Sequence, residues 1–90
     1  MEQIRKHYKF TGQVQGVGFR YSAQYLAKSF GLTGWVQNEW DGSVSMEAQG
    51  DPKALEQFVQ KLEERKYIQI DQISEATIPL EREYGFQVKY

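Results

Sequence analysis

The sequence predicts an α+β fold in which two helices pack on one face of an antiparallel-dominated sheet. Three observations predict it. Two segments carry apolar residues at helical spacing, several others carry them at alternate positions, and an Asp-Gly pair separates two of the alternating segments. The chain has 90 residues, which is enough for one modest core. We therefore predict one domain, residues 1–90.

The first half of the chain predicts a strand, a helix and two further strands. Residues 8–14 alternate between apolar or small residues and polar ones, as in a half-buried strand. An apolar helical stripe follows at Ala23, Leu26, Ala27 and Phe30. Gly31 can then supply a left-handed C-cap. Residues 34–38 and 44–48 predict the next two strands, joined by a hairpin turn at Asp41-Gly42.

The second half predicts a second helix and two more strands. Asp51-Pro52 is typical of an N-cap and a first helical residue. An apolar stripe follows at Leu55, Phe58, Val59 and Leu62. Residues 68–78 predict a fourth strand whose alternation slips between Ile70 and Ile73, which indicates either a β-bulge or an error in the assignment. Alternation in residues 86–90 predicts a short fifth strand.

This order, βαββαβ with a short fifth strand, is the ferredoxin-like or split βαβ plan. In that plan the first and third strands are central neighbours, and the second strand flanks the third. The same architecture serves RNA binders, metal chaperones, regulatory modules and enzymes. Function therefore has to be argued from the site.

Composition excludes several classes of function. The 11 Lys and Arg against 12 Asp and Glu give a net charge of −1, so no overall positive field favours nucleic acid. The chain contains no cysteine, which excludes disulfides, thiolate metal sites and a cysteine nucleophile. No segment has the apolar length of a signal peptide or a membrane span. We expect a cytoplasmic, soluble protein with no membrane partner.

The loop between the first strand and the first helix is a candidate anion site. It runs Gln15-Gly16-Val17-Gly18-Phe19-Arg20. Glycines let backbone N–H groups approach a ligand, and a helix N-terminus adds unpaired N–H groups. A cation such as Arg20 is unfavourable at that end by about 0.3–1 kcal/mol, and a bound phosphate would resolve the conflict. The alternative interpretation is a glycine turn followed by a solvated arginine.

Asn38 ends the second strand, just before the turn at residues 39–42. Asparagine is common in turns, which is one interpretation of this residue. In the split βαβ plan, however, the chain near Asn38 need not lie far from Arg20. A side-chain amide there could fix a water molecule.

These segments resemble the paired signatures of the acylphosphatases, small enzymes that hydrolyse carboxyl-phosphate bonds. The resemblance rests on residues 12–20, on Gly34-Trp35-Val36-Gln37-Asn38 and on Asp41-Gly42, and it is strong through residue 50. It implies that the loop at residues 15–20 cradles phosphate, that Arg20 binds it, and that Asn38 orients the attacking water. Residues 64–67, at the exit of the second helix, depart from the family pattern.

The chemistry of an acyl phosphate suits so few groups. The departing carboxylate has a conjugate acid with a pKa of about 4, so no general acid is needed. Positioning and charge stabilisation can then suffice. No side chain in these motifs is an obvious general base, and we hypothesise that the water's proton passes to the substrate phosphate. We predict a monomeric enzyme without cofactor or metal, whose partners are a small acyl phosphate and the inorganic phosphate it releases.

Other polar and aromatic residues have simpler interpretations. His7, the only histidine, is predicted as an exposed residue at a strand edge. The acidic pairs Glu63-Glu64 and Glu81-Glu83 are predicted as solvated charge rather than as metal ligands. Trp35 is expected to pack on the sheet. Trp40 is the better candidate for a contact with the acyl group.

The main alternative function is a non-catalytic, ferredoxin-like module that binds an anion or regulates another protein. A second alternative is an acylphosphatase-like domain of larger machinery, such as a hydrogenase-maturation carbamoyltransferase. Because the sequence ends at Tyr90, we expect no attached machinery. Catalytic turnover distinguishes the enzyme from the anion-binding module.

Overall fold

The computed structural model describes residues 2–90. Its elements are β1 (Ile4–Gln13), α1 (Phe19–Ser29), β2 (Thr33–Asn38), β3 (Val44–Gly50), α2 (Pro52–Glu63), β4 (Gln69–Ile78) and β5 (Phe86–Lys89). The predicted ferredoxin-like order with a fifth strand is confirmed. Within residues 2–90, no helix combines the length and the apolar character that crossing a membrane requires.

The five strands form one sheet in the order β4-β1-β3-β2-β5. Neighbouring strands are antiparallel, except for the parallel pair β2 and β5. As predicted, β1 and β3 are central and β2 flanks β3. Val44 pairs with Phe10 on one side and with Asn38 on the other. The ends of β1 and β2 that carry the candidate site therefore lie at the same end of the sheet.

The core lies between one face of the sheet and the two helices. Strand residues buried there include Tyr8, Phe10, Val36, Val44 and Met46. The helices contribute Ala23, Leu26, Ala27, Leu55, Phe58 and Leu62. Each large apolar side chain that is fully buried contributes about 1.5–3 kcal/mol. Both predicted helical stripes are thus confirmed as the faces that hold α1 and α2 on the sheet.

The helix ends use the capping residues that the sequence predicted. Gly31 follows α1 with a φ of +68°, and the Leu32 N–H donates to the Ala27 carbonyl at 2.8 Å. This left-handed closure satisfies a carbonyl that the helix itself leaves unpaired. At the start of α2, the Asp51 carboxylate accepts a hydrogen bond from the Lys53 N–H at 2.8 Å.

Two strand boundaries refine the sequence prediction. The register between β1 and β4 shifts between Thr11 and Gly12, which leaves Asp71 as an extra residue on β4. The predicted slip is therefore a β-bulge. The first strand begins at Ile4 rather than at residue 8. Its early alternation is hidden in the sequence because Lys6 interrupts the apolar residues on the face that α2 covers, while Arg5 and His7 lie on the open face that points away from the helices.

That open face carries a buried ion-pair network around Arg5. The Arg5 side chain is fully buried, and its guanidinium contacts Glu47 at 3.0 Å, Glu83, and Glu81 at 3.7 Å. The prediction that the acids at positions 81 and 83 are merely solvated is therefore wrong, above all for Glu83, whose side chain is 23% exposed. Both acids compensate a buried cation. The acids at positions 63 and 64 are exposed, as predicted.

His7 lies on the same open face. Its prediction as a strand-edge residue is wrong, because β1 is central in the sheet. The His7 Nδ1 atom lies 3.0 Å from a Glu47 carboxylate oxygen, and the imidazole meets the Trp35 ring edge-on. Burial opposes the charge of Glu47, but hydrogen bonds with His7 and Arg5 outweigh it and lower the pKa of this carboxyl below its usual value.

Candidate active site

The loop between β1 and α1 turns on two glycines. Gly16 and Gly18 have φ values of +73° and +79°, a region that other residues enter only with strain. A Cβ at either position would meet nothing within 4 Å, so the backbone conformation and not crowding requires glycine there. Both glycines expose the backbone to an adjoining cavity of about 190 Å³.

The first turn of α1 completes an anion-binding cradle. The Ser22 N–H donates the first helical hydrogen bond, to the Gly18 carbonyl at 2.9 Å. The N–H groups of the three preceding residues therefore have no acceptor within the helix. The first turn contains no acidic side chain that could cap them. These donors and the positive end of the helix dipole favour a bound anion.

Core packing fixes the position of this helix end. The Phe19 side chain is buried, and its ring centroid lies 5.0 Å from that of Phe10. Val14 is fully buried at the other end of the loop, and Val17 packs against the core. The side chains of Phe19 and Val17 are thus used in packing. Any contact of these two residues with an anion would run through the backbone.

Gln15 joins the loop to the turn between β2 and β3. Its side-chain Nε2 donates to the carbonyl oxygens of Glu39, at 2.6 Å, and Ser43, at 2.8 Å. Both side-chain donors of Gln15 are therefore engaged by the turn. The sequence contained no signal for this role, which depends on contacts with residues 24 and 28 positions away.

The turn itself is stabilised by an aspartate. One oxygen of the Asp41 carboxylate accepts hydrogen bonds from the Ser43 hydroxyl at 2.6 Å and the Ser43 N–H at 3.0 Å. The Lys9 ammonium lies 3.3 Å from the other oxygen. The bonds from Ser43, followed by Lys9, lower the pKa of Asp41 to about 2. These bonds stabilise the turn that follows Asn38.

Asn38 lies at the end of β2, on the helix side of the sheet, and lines the same cavity as Gly16, Gly18 and Arg20. Its side-chain oxygen Oδ1 is buried and accepts no hydrogen bond from residues 2–90. A buried acceptor without a donor costs about 1–3 kcal/mol, so such a group is usually satisfied by water or ligand. The geometry suits an amide that accepts a hydrogen bond from a water molecule in the cavity.

Arg20 stands in the first turn of α1 beside the cradle. Its Nη1 atom lies 3.4 Å from the Lys89 carbonyl oxygen, and its guanidinium carbon lies 4.9 Å from the centroid of the Tyr90 ring. Among residues 2–90 it joins no ion pair with a carboxylate. The cation is therefore available to neutralise an anion held by the loop.

The structure brings together most of the residues that the sequence singled out. Gly16, Gly18, Phe19, Arg20 and Asn38 line one cavity. The side chains of Gln15 and Val17 support it from outside. Tyr21 also lines it, although no pattern in the sequence marked this exposed tyrosine.

The two tryptophans lie away from this cavity. Trp40 is 98% exposed at the tip of the turn and does not line the cavity, so the expected contact with an acyl group has no support. Trp35 packs on the open face of the sheet, as predicted, with the Lys89 ammonium 4.4 Å from its ring centroid. Among residues 2–90, histidine, aspartate and glutamate side chains form no group of three that could hold a metal ion.

Comparison with known proteins shows the same family over nearly the whole chain. The family model described as Acylphosphatase matches residues 6–88. The chain is 40% identical to an acylphosphatase of Oceanobacillus iheyensis over the full length of both proteins. Its match to an acylphosphatase of Lactobacillus johnsonii is 54% identical but spans only 60% of this chain and 59% of that protein.

The architecture agrees with the sequence comparison. The crystal structure of acylphosphatase from Bacillus subtilis superposes with a TM-score of 0.91 at 35% identity, covering 97% of this chain and 99% of that one. The resemblance seen in the two sequence signatures therefore extends to the whole sheet and both helices. On these grounds the chain belongs to the acylphosphatase family.

Proposed function

We propose that this protein is an acylphosphatase, which hydrolyses the carboxyl-phosphate bond of small acyl phosphates to a carboxylate and inorganic phosphate. The loop at residues 15–20 and Arg20 bind the phosphate, and Asn38 orients the attacking water. One observation carries the proposal. An arginine without an ion-pair partner among residues 2–90, N–H groups without a helical acceptor, and a buried amide oxygen without a donor in the same residues line one cavity. Family membership supports the same reaction.

The cradle acts first by electrostatics. The backbone donors at residues 16–21 and the Arg20 guanidinium are hydrogen-bond donors for the three phosphoryl oxygens. They are held in place before substrate arrives, by the packing of Phe19 and by the hydrogen bonds of Gln15. Preorganised donors of this kind stabilise the charge of a phosphoryl-transfer transition state without reorganising.

Asn38 positions the water molecule that acts as the nucleophile. Its Oδ1 accepts a hydrogen bond from water, which directs an oxygen lone pair at phosphorus. The new P–O bond forms as the bond from phosphorus to the acyl oxygen breaks, and the carboxylate leaves with that electron pair. The proton of the water passes to an oxygen of the phosphoryl group. No general acid is required, because the leaving carboxylate is a weak base.

The decisive experiment is hydrolysis of benzoyl phosphate in the presence of a metal chelator. We expect turnover by the wild type and a loss of roughly 100-fold or more in kcat/KM for Arg20→Ala, because charge-assisted hydrogen bonds to the transition state are removed. Arg82→Ala is the matched control, since Arg82 is exposed and does not line the cavity. Circular dichroism verifies that each variant is folded.

The alternative function is a non-catalytic module that binds an anion. It predicts that inorganic phosphate binds and protects the protein while acyl phosphate is not consumed. A folded wild type without turnover, but with phosphate binding that depends on Arg20, would favour that module over the enzyme. We further propose that the protein acts as a cytoplasmic monomer without a metal or other cofactor, and sedimentation equilibrium tests the monomer.

A further inference from the structure

A second cavity adjoins the phosphate cradle. Its volume is about 280 Å³, and in residues 2–90 it is lined by Arg20, Tyr21, Gln24, Gln87, Val88 and Tyr90. Arg20 and Tyr21 also line the cradle, so the two cavities meet at these side chains. Asn38, by contrast, lines only the cradle. A group bound in the cradle therefore shares that cavity with Asn38. The second cavity lies on the other side of Arg20.

The floor of this second cavity is fixed by contacts between α1 and β5. The Gln24 Nε2 donates to the Phe86 carbonyl at 3.2 Å, which joins the helix to the strand. Phe86 is buried in the core, and Val88 packs against it. Val88 also pairs with Val36 in the parallel ladder of β2 and β5. The floor is consequently part of the folded sheet.

The walls are aromatic and uncovered. Tyr21 is 82% exposed and Tyr90 is 99% exposed, so both side chains are open to solvent, with the Arg20 guanidinium over one face of the Tyr90 ring. The lining also contributes an aliphatic side chain, two amides and one cation. Aromatic rings provide flat apolar contact area for a ligand, and polar groups placed beside them fix its orientation. This lining suits an aromatic acyl group better than a small or strongly polar one.

We infer that the second cavity is the acyl subsite, and that Tyr21 and Tyr90 give the protein a preference for aromatic acyl phosphates. The inference rests on the proposed function. In an in-line displacement the attacking and leaving oxygens lie on opposite sides of phosphorus. With water held by Asn38 in the cradle, the departing acyl group points towards the cavity that Asn38 does not line. Arg20 at the boundary contacts the phosphate between them.

The test compares kcat/KM for benzoyl phosphate with kcat/KM for acetyl phosphate, which shares the phosphate but has only a methyl group. We expect Tyr21→Ala and Tyr90→Ala each to lower the ratio of benzoyl to acetyl kcat/KM by about three- to tenfold, the equivalent of one lost aromatic contact. Using the ratio cancels any effect on phosphate binding. Tyr21→Phe keeps the ring and should keep the ratio.

Tyr67→Ala is the matched control, because Tyr67 is also exposed but does not line the cavity, and its ratio should equal that of the wild type. An unchanged ratio in both alanine variants, or equal losses on both substrates, overturns the acyl subsite while leaving the hydrolase in place. A loss in Tyr21→Phe as large as in Tyr21→Ala overturns recognition by the ring faces. Hydrolysis of neither substrate by the wild type overturns the proposed function, and this inference with it.

Discussion

The side-chain amide of Gln15 lies 2.8 Å from the carbonyl oxygen of Ser43, so the loop that carries the glycines is joined directly to the turn that follows Asn38. A second bond, to the Glu39 carbonyl at 2.6 Å, repeats the link. The two halves of the candidate site come from separate parts of the chain. The pairing of β1 and β2 with β3 brings them together, and the Gln15 side chain adds a direct link between them.

Gln15→Ala should therefore weaken the fold and the activity together. Losing two hydrogen bonds lowers the free energy of unfolding by about 1–3 kcal/mol, measured by urea denaturation. Activity should fall because the distance between Arg20 and Asn38 is held less tightly. Gln15→Glu should be worse in both measurements, since a carboxylate cannot donate and would face two carbonyl oxygens. Gln13→Ala, at an exposed position at the end of β1, is the control.

Asn38→Ala should separate stability from activity. The Oδ1 atom is buried without a donor in residues 2–90, so its removal takes away an unsatisfied polar group. We expect the free energy of unfolding to change by less than about 1 kcal/mol, whereas kcat for benzoyl phosphate falls and KM changes little. An effect confined to KM would contradict the water-orienting role and indicate a contact with bound substrate.

The fold could be predicted because it follows from local patterns. Two helical stripes, the Asp41-Gly42 turn and the Asp51 cap each depend on a few neighbouring residues, and all four appear in the structure. Even the slip in the fourth strand proved to be a bulge beside Gly12. These features are determined by backbone geometry and by burial of one face, which sequence spacing records directly.

The supporting contacts could not be predicted because they join distant residues. Arg5 meets Glu83 across a sequence separation of 78 residues, and nothing near either residue indicates the pairing. His7 precedes the alternation at residues 8–14, so the sequence did not show that the central strand β1 already includes it. In the candidate site, the glycines and Arg20 were visible as a motif. The bracing by Gln15 and the tyrosine-lined cavity were not.

Arg20→Ala should cost activity without costing stability. A cation in the first turn opposes the helix dipole by about 0.3–1 kcal/mol, and its stacking on the Tyr90 ring contributes a similar amount in the other direction. The free energy of unfolding should therefore stay within about 1 kcal/mol of the wild type. Arg20→Lys keeps the charge but not the planar guanidinium, so its kcat/KM should lie between the values for the wild type and for Arg20→Ala. A loss of stability above that range would indicate that Arg20 has a structural role instead.

The stability of the protein at acid pH should depend on the turn beside Asn38. The pKa of Asp41 is lowered to about 2 by the bonds from Ser43 and by Lys9. A lowered pKa in the folded state means that the stabilisation is present above the ordinary value for Asp and is lost as pH falls towards about 2. Ser43→Ala removes the hydroxyl donor, so the pKa should rise towards its ordinary value. NMR titration of the Asp41 carboxyl measures the shift, and an unchanged value in Ser43→Ala would contradict this origin.

Glu83→Ala should destabilise the protein more than the substitution of an exposed acidic residue does. It leaves the buried Arg5 guanidinium with less compensation, which costs about 1.5–3 kcal/mol for a charged hydrogen bond. Glu63→Ala is the matched control, since Glu63 is exposed and forms no ion pair among residues 2–90. Urea denaturation should show a clear loss for the first variant and a change within about 0.5 kcal/mol for the second.

The double variant Arg5→Met with Glu83→Gln tests the cause of that loss. Removing the buried cation as well removes the need for compensation, so the double variant should be more stable than the sum of its two single variants predicts. Additive losses would show that the two side chains do not stabilise one another. Since Glu83 lies just before β5, weakening this pair should also loosen the strand that forms the floor of the second cavity. Faster amide hydrogen exchange at Phe86 and Val88 in Glu83→Ala, but not in Glu63→Ala, is the expected sign.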